Sequence, residues 1–188
     1  MNTENKKDRR RQQTMIYINI YKSPIGDIEL FSDGKALIRL QFTGQKYAAN
    51  TCNTDISHPH LPVFLQTKAW LDAYFSGTNP NNPPPLSPQG TAFRLEVWRI
   101  LQTIPYGTTV TYGHIARHMA NLRGIESLSA QAVGGAVGHN PISIIIPCHR
   151  VVGADGSLTG YAGGTERKAW LLALEKKNPL RISRTLLF

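Results

Sequence analysis

The sequence predicts an α/β protein in two parts: a small N-terminal α/β domain, then a mostly helical C-terminal domain with a helix-turn-helix and one short apolar strand. Three observations predict it. Early residues alternate with strand period around a hairpin signal. "TNPNNPPPLSPQG" (78–90) packs five prolines into thirteen residues. From residue 92 onward, apolar residues recur at helical spacing.

In chain order, residues 1–14 read as a disordered basic arm, with five Lys/Arg against two Asp/Glu in residues 1–11. "IYINIY" (16–21) sets Ile16, Ile18 and Ile20 against Tyr17, Asn19 and Tyr21, a strand pattern. Asp33-Gly34 stands between two β-rich runs and marks a hairpin. Residues 63–76 read as a helix, with Phe64, Trp70, Leu71, Tyr74 and Phe75 near one face and Gly77 closing it. These elements make a domain over 15–77. Proline withholds backbone donors, so 78–90 is an extended linker, and the C-terminal domain spans 91–188. There, Phe93, Val97, Ile100, Leu101 and Ile104 share a helix face that Pro105-Tyr106-Gly107 ends. A second helix starts at Thr111 and carries Tyr112, Ile115, Ala116 and Met119 on one side. After a loop with Gly124, "SAQAVGGAVGHNP" (129–141) completes a helix-turn-helix pattern. The solid apolar run Ile142–Ile146 reads as a buried strand ended by Pro147.

The net charge is +9, and it is unevenly spread. Residues 12–90 balance five cations against five anions, whereas 91–188 hold eleven against five. The basic half points to a polyanionic partner. No apolar stretch is long enough for a membrane span. The charged N-terminus has no apolar segment behind it, so no secretory signal is expected. Two cysteines, Cys52 and Cys148, suit a reducing cytoplasm.

Chemistry concentrates after residue 129. Ala130, Gly134 and Gly138 share one helix face that is almost bare of side chains. Gly134 and Gly135 each cost roughly 1 kcal/mol relative to Ala in a helix. Tight packing or close approach of a nucleic-acid backbone would offset that loss, and a smooth helix suits a minor groove. "PCHR" places a thiol, an imidazole and a guanidinium where the apolar run stops. A nearby His⁺ or Arg can make a thiolate dominant. A histidine base needs an orienting group, and Glu175 shares a helix face with Leu171 and Leu172. Asn140, at the turn before Ile142, can hold backbone there. Cys52, His58 and His60 lack a fourth ligand at sensible spacing, so no metal site is expected.

"IPCHRVVG", preceded by "AVGGAVGHNPI" and followed by "GYAGG" and "WLLALE", closely resembles the O6-alkylguanine-DNA alkyltransferases, also called methylated-DNA–protein-cysteine methyltransferases. The likeness is continuous from Phe93 to Glu175. The N-terminal half is similar only in layout, as a small ribonuclease-H-like domain. The resemblance implies a suicide repair protein that takes an alkyl group from guanine O6 onto Cys148 after the base is flipped out of the duplex. It implies His149 as base through a water, Glu175 as its partner, and Asn140 as the tether of the active-site turn. Tyr112 would rotate the phosphate and protonate guanine N3. Gln131, Ala132, Gly134, Arg123 and Arg150 would meet DNA through its minor groove. Tyr161, Ala162, Val151 and Val137 would line the base pocket, with carbonyls of Cys148 and Val151 accepting from the guanine amine. No metal or organic cofactor is implied. The protein would be a cytoplasmic monomer that can cluster on DNA.

The chain departs from the family pattern in several places: the loop "ANLRGIESL" looks longer than in many relatives and could bring Arg123 to a phosphate, and the zinc ligands of some members are not recognisable. Gln131 stands where an arginine commonly fills the gap left by the flipped base. Ala162 replaces a serine often found after the pocket tyrosine. A lesion-binding relative without transfer activity would lack the cysteine that is present here. A cysteine hydrolase would leave the smooth basic helix unexplained.

Overall fold

Asp33 builds the expected hairpin, the second of two in the sheet. Its carboxylate accepts from the N–H groups of Lys35 and Ala36 at 2.9 and 2.8 Å, while Gly34 turns the chain at φ 93°. The computed structural model describes residues 15–47 and 56–177. The proposed basic arm and Cys52 lie outside the described residues. Strands β1 (Tyr17–Ser23), β2 (Gly26–Ser32) and β3 (Leu37–Phe42) run antiparallel, and short β4 (Ile56–Ser57) lies parallel to β1, giving the order β3-β2-β1-β4. Helix α1 (Pro62–Phe75) buries Val63, Phe64, Leu71 and Tyr74 in the same core as Ile28, Leu30, Leu40 and Phe42. Gly77, at φ 87°, follows its end.

The proline-rich segment is extended, yet it is not a loose tether. Leu37 N–H donates to Pro85 O at 2.7 Å and Ser87 N–H donates to Leu37 O at 2.9 Å, so this segment covers the β3 edge. Further along β3, Leu40 N–H donates to Pro141 O and Ser143 N–H to Leu40 O, both at 2.9 Å. One sheet edge therefore splints both the connector and the residues leading to Cys148.

Helix α2 (Ala92–Thr103) is capped by the Thr91 hydroxyl and buries Val97, Trp98 and Leu101. Strand β5 (Val110–Thr111) leads into α3 (Tyr112–Arg123), whose N-cap is Thr111 and whose C-cap is Gly124 at φ 62°. Ser129 caps α4 (Ala130–Gly138), completing the helix-turn-helix. Trp98 Nε1 donates to Ala136 O at 2.9 Å and ties α2 to α4. A 3-10 turn at Cys148–Arg150 runs into β6 (Val151–Val152), which pairs parallel with β5, and α5 (Thr165–Lys177) closes the described chain. No helix among the described residues is long and apolar enough to cross a membrane.

The expected strand at Ile142–Ile146 is absent. These residues are buried, but the chain coils: Ile144 sits at φ 69°, Ile145 N–H donates to Ser143 O, and Ile146 N–H donates to Ile142 O. A continuous apolar run reports burial and leaves backbone shape open. Here Asn140 supplies the bonds that favour a turn, and the short strand of this region is β6, after the cysteine.

Candidate active site

Cys148 opens the 3-10 turn directly after Pro147 and is 6% exposed. Asn140 holds the approach. Its Nδ2 donates to the carbonyls of Ile142 (3.2 Å) and Ile146 (2.8 Å) and lies 3.0 Å from Cys148 Sγ, while its Oδ1 accepts from Ile142 N–H at 3.1 Å. One buried amide thus fixes both ends of the coil and touches the sulfur.

The thiol is not activated at rest. Burial pushes its pKa up to about 11, and the Asn140 contact and the Lys168 charge only partly oppose it. The expectation that His149 or Arg150 makes the thiolate dominant is corrected by where their polar groups point: both engage Glu175.

Glu175 is fully buried and collects donors. Tyr74 Oη and His149 Nε2 donate at 2.8 Å, Gly107 N–H at 2.9 Å, and Arg150 Nε and Nη2 at 3.0 Å. Burial alone would raise its pKa; the bonds and charges of His149 and Arg150 outweigh that and hold the carboxyl well below the usual range. His149 is pushed the other way, below the ordinary imidazole value, chiefly by its burial. A neutral imidazole facing a carboxylate through Nε2 carries its proton there. Nδ1 is then left as a lone pair, buried and without a protein partner among the described residues. The arrangement is an imidazole held in one tautomer by Glu175, next in sequence to a protonated thiol.

Lys168 was missed by the sequence reading. It is fully buried, and its Nζ donates to the carbonyls of Val151 (2.6 Å) and Thr159 (2.7 Å). Burial lowers its pKa to about 8, while the nearby Cys148 acts to raise it. The signal was available, because Lys168 precedes Leu171, Leu172 and Glu175 on the same face of α5.

An open cleft of about 980 Å³ runs along α4, lined by Tyr112, Gln131, Gly134, Gly135, Thr159 and Gly160 among others. A Cβ on Gly135 would meet nothing within 4 Å, and one on Gly134 only the Tyr112 ring at 3.7 Å. Packing within the protein therefore does not require these glycines. Gly160 is different. It has φ 75°, and its Cβ would lie 2.5 Å from Tyr112 Oη, so no larger residue fits.

Comparison with known proteins gives the family. Residues 92–177 match the family model "6-O-methylguanine DNA methyltransferase, DNA binding domain", and 16–83 match its "ribonuclease-like domain". The methylated-DNA–protein-cysteine methyltransferase of Haemophilus influenzae is 42% identical over 164 residues, 87% of this chain and 88% of that protein. This chain belongs to that methyltransferase family. The Methanosarcina acetivorans member is 41% identical over 85% of this chain and 98% of its own. The crystal structure of the Mycobacterium tuberculosis O6-methylguanine methyltransferase superposes with a TM-score of 0.76 at 41% identity, covering 89% of this chain and 96% of that one. A further structure from that organism, in complex with DNA, superposes at 0.74 over 86% of this chain and 93% of that one.

In this family member the residues expected to meet DNA fall into two groups. Gln131 and Ala132 are exposed on α4, and Tyr112 lines the cleft with its hydroxyl donating to Thr159 O at 2.8 Å. Arg123 is exposed, with its guanidinium on the Glu96 carboxylate. Arg150 does not share that exposed surface. It is 8% exposed, and its remaining nitrogen, Nη1, donates to Ile104 O at 2.6 Å, so every part of the guanidinium is committed inside. Of the expected pocket residues, Tyr161, Val137 and Val151 are buried and Ala162 is half-buried. The Ala162 carbonyl accepts from Lys46 N–H at 3.1 Å, tying it to the turn that follows β3. The carbonyls of Cys148 and Val151 already accept from Val151 N–H and Lys168 Nζ, each leaving one lone pair for a ligand.

Proposed function

We propose that this chain repairs DNA by direct reversal, moving an alkyl group from guanine O6 onto Cys148 irreversibly and once per molecule. The observation that carries the reading is the sulfur held by Asn140 beside a neutral His149 that Glu175 fixes in one tautomer. The S–C bond forms as the C–O6 bond breaks. The thiol proton passes through a water to His149 Nδ1, and the guanine leaving group takes a proton at N3 from Tyr112. Burial raises the Tyr112 pKa, so the phenol is neutral in the resting site and gives up its proton only as negative charge develops on the leaving guanine. The damaged base is flipped from the minor groove into a pocket walled by Tyr161 and Val137, with the Ala162 N–H aimed at O6. Flipping costs a few kcal/mol, least where damage has weakened pairing. No cofactor enters the step, and the protein acts as a cytoplasmic monomer.

Intact and peptide mass measurement after incubation with a duplex holding one O6-methylguanine tests this directly. The expected result is a gain of one methylene on the Cys148 peptide, stopping at one per protein and lost in Cys148→Ser. Tight binding without mass gain would overturn the reading in favour of lesion recognition alone.

Gln131 can fill the space left by the flipped base and bond the orphan cytosine, but it brings no charge. Gln131→Arg is expected to tighten duplex binding by about two- to tenfold through one added cation inside the field of the flanking phosphates, with the transfer rate at saturation retained. Equal affinities by fluorescence anisotropy would remove Gln131 from the interface.

A further inference from the structure

A cavity of about 190 Å³ lies where the N-terminal sheet meets α2 and the end of α4. Arg39 of β3 and Arg94 of α2 line it together with Lys46 and His139, and no Asp or Glu does. Both arginines are half-buried. Among the described residues neither guanidinium has an ion pair or a hydrogen-bonded acceptor. Burial is the cause that pushes the Arg39 pKa down. A guanidinium stays charged at every physiological pH and carries five donors. Two of them partly withdrawn from water, with no acceptor, leave a cost that an oxyanion would offset through their planar forks.

The cavity is also joined to the cleft. Gly138 and His139 line both it and the pocket beside Tyr161 and Ala162. That pocket in turn shares Gly134, Gly135 and Gly160 with the open cleft along α4. The cleft, the pocket and the two-arginine cavity therefore adjoin one another along one side of α4.

We propose that this cavity is a phosphate-binding site beside the alkyl-transfer centre, which its lining meets at Asn140, with Arg39 and Arg94 as its anion ligands. A phosphodiester of DNA and a free phosphate present the same oxygens, and the experiment distinguishes them. The full chain is compared with Arg39→Gln/Arg94→Gln, using inorganic phosphate and an unmodified duplex as probes. If DNA supplies the phosphate, the double variant binds duplex about three- to tenfold more weakly, and its log K against log salt slope is shallower by about 2. If the ligand is free, phosphate raises the melting temperature of the parent above a chloride control of equal ionic strength. The double variant then loses that rise and keeps its duplex affinity. No change in either readout overturns the proposal. The single variants Arg39→Gln and Arg94→Gln give the same readouts if the double one fails to fold. Alkyl transfer at saturating duplex is expected to survive in all three, so failed transfer by the parent counts against the repair reading and leaves this site standing.

Discussion

Glu175→Gln is expected to lower the unfolding free energy by about 3–5 kcal/mol, the usual cost of breaking a buried ion pair from one side. The amide keeps the shape but loses the charge, so Arg150 remains buried opposite a neutral group. Its NH2 also replaces one of the two acceptor oxygens, so it faces either Tyr74 Oη and His149 Nε2 on one side or Gly107 N–H on the other, donor against donor in both cases. In a chain of this length that loss corresponds to a fall of roughly 10 °C in melting temperature. Adding Arg150→Met should cost less than the sum of the two single changes, because the stranded cation is gone. Calorimetry of the four proteins decides it, and a Glu175→Gln variant that melts with the parent would mean the cluster contributes little. The pH dependence has a definite sign. The folded Glu175 carboxyl titrates below its unfolded value, so its contribution is complete above the ordinary carboxylate range and fades as pH falls through the depressed one.

This cluster also shows how much the sequence could disclose. Glu175 was legible because a carboxylate on a helix face shared with Leu171 and Leu172 needs a buried partner, and Cys148 and His149 were legible from the residues around them. The hairpin, the helices and the helix-turn-helix followed from period, caps and turn residues, all local signals. What failed was non-local. Ile142–Ile146 has the composition of a strand, but Asn140 bonds two of its carbonyls and coils it. Arg150 looked like a DNA contact because a cation in a basic half is ordinarily solvated; its partner lies 25 residues away on α5. Lys168 carried the right periodicity, yet a lysine among apolar residues is ordinarily an exposed one. Only tertiary packing supplies the Val151 and Thr159 carbonyls that make its burial tolerable. The pairing of Arg39 with Arg94 across one cavity joins residues on separate domains and has no local signature.

His149→Gln is expected to slow single-turnover alkyl transfer by about 10²- to 10⁴-fold, the contribution of a positioned base. With the Cys148 pKa near 11, only about one molecule in ten thousand holds a thiolate at pH 7, so the rate depends on moving the proton within the site. His149 suits that task, since burial keeps it neutral and the Nε2–H bond to Glu175 leaves Nδ1 free to accept. The pH profile separates this role from a structural one. In the parent the rate should be level through neutral pH and fall only in acid, below the ordinary imidazole range, where His149 gains its second proton. In the variant each unit of pH should raise the rate about tenfold toward pH 11, because thiolate must then form by direct ionisation. Rapid-quench kinetics on an O6-methylguanine duplex at several pH values reads both curves. A slow variant whose profile stays level would assign His149 to holding the turn, and a variant as fast as the parent would leave Cys148 without its base.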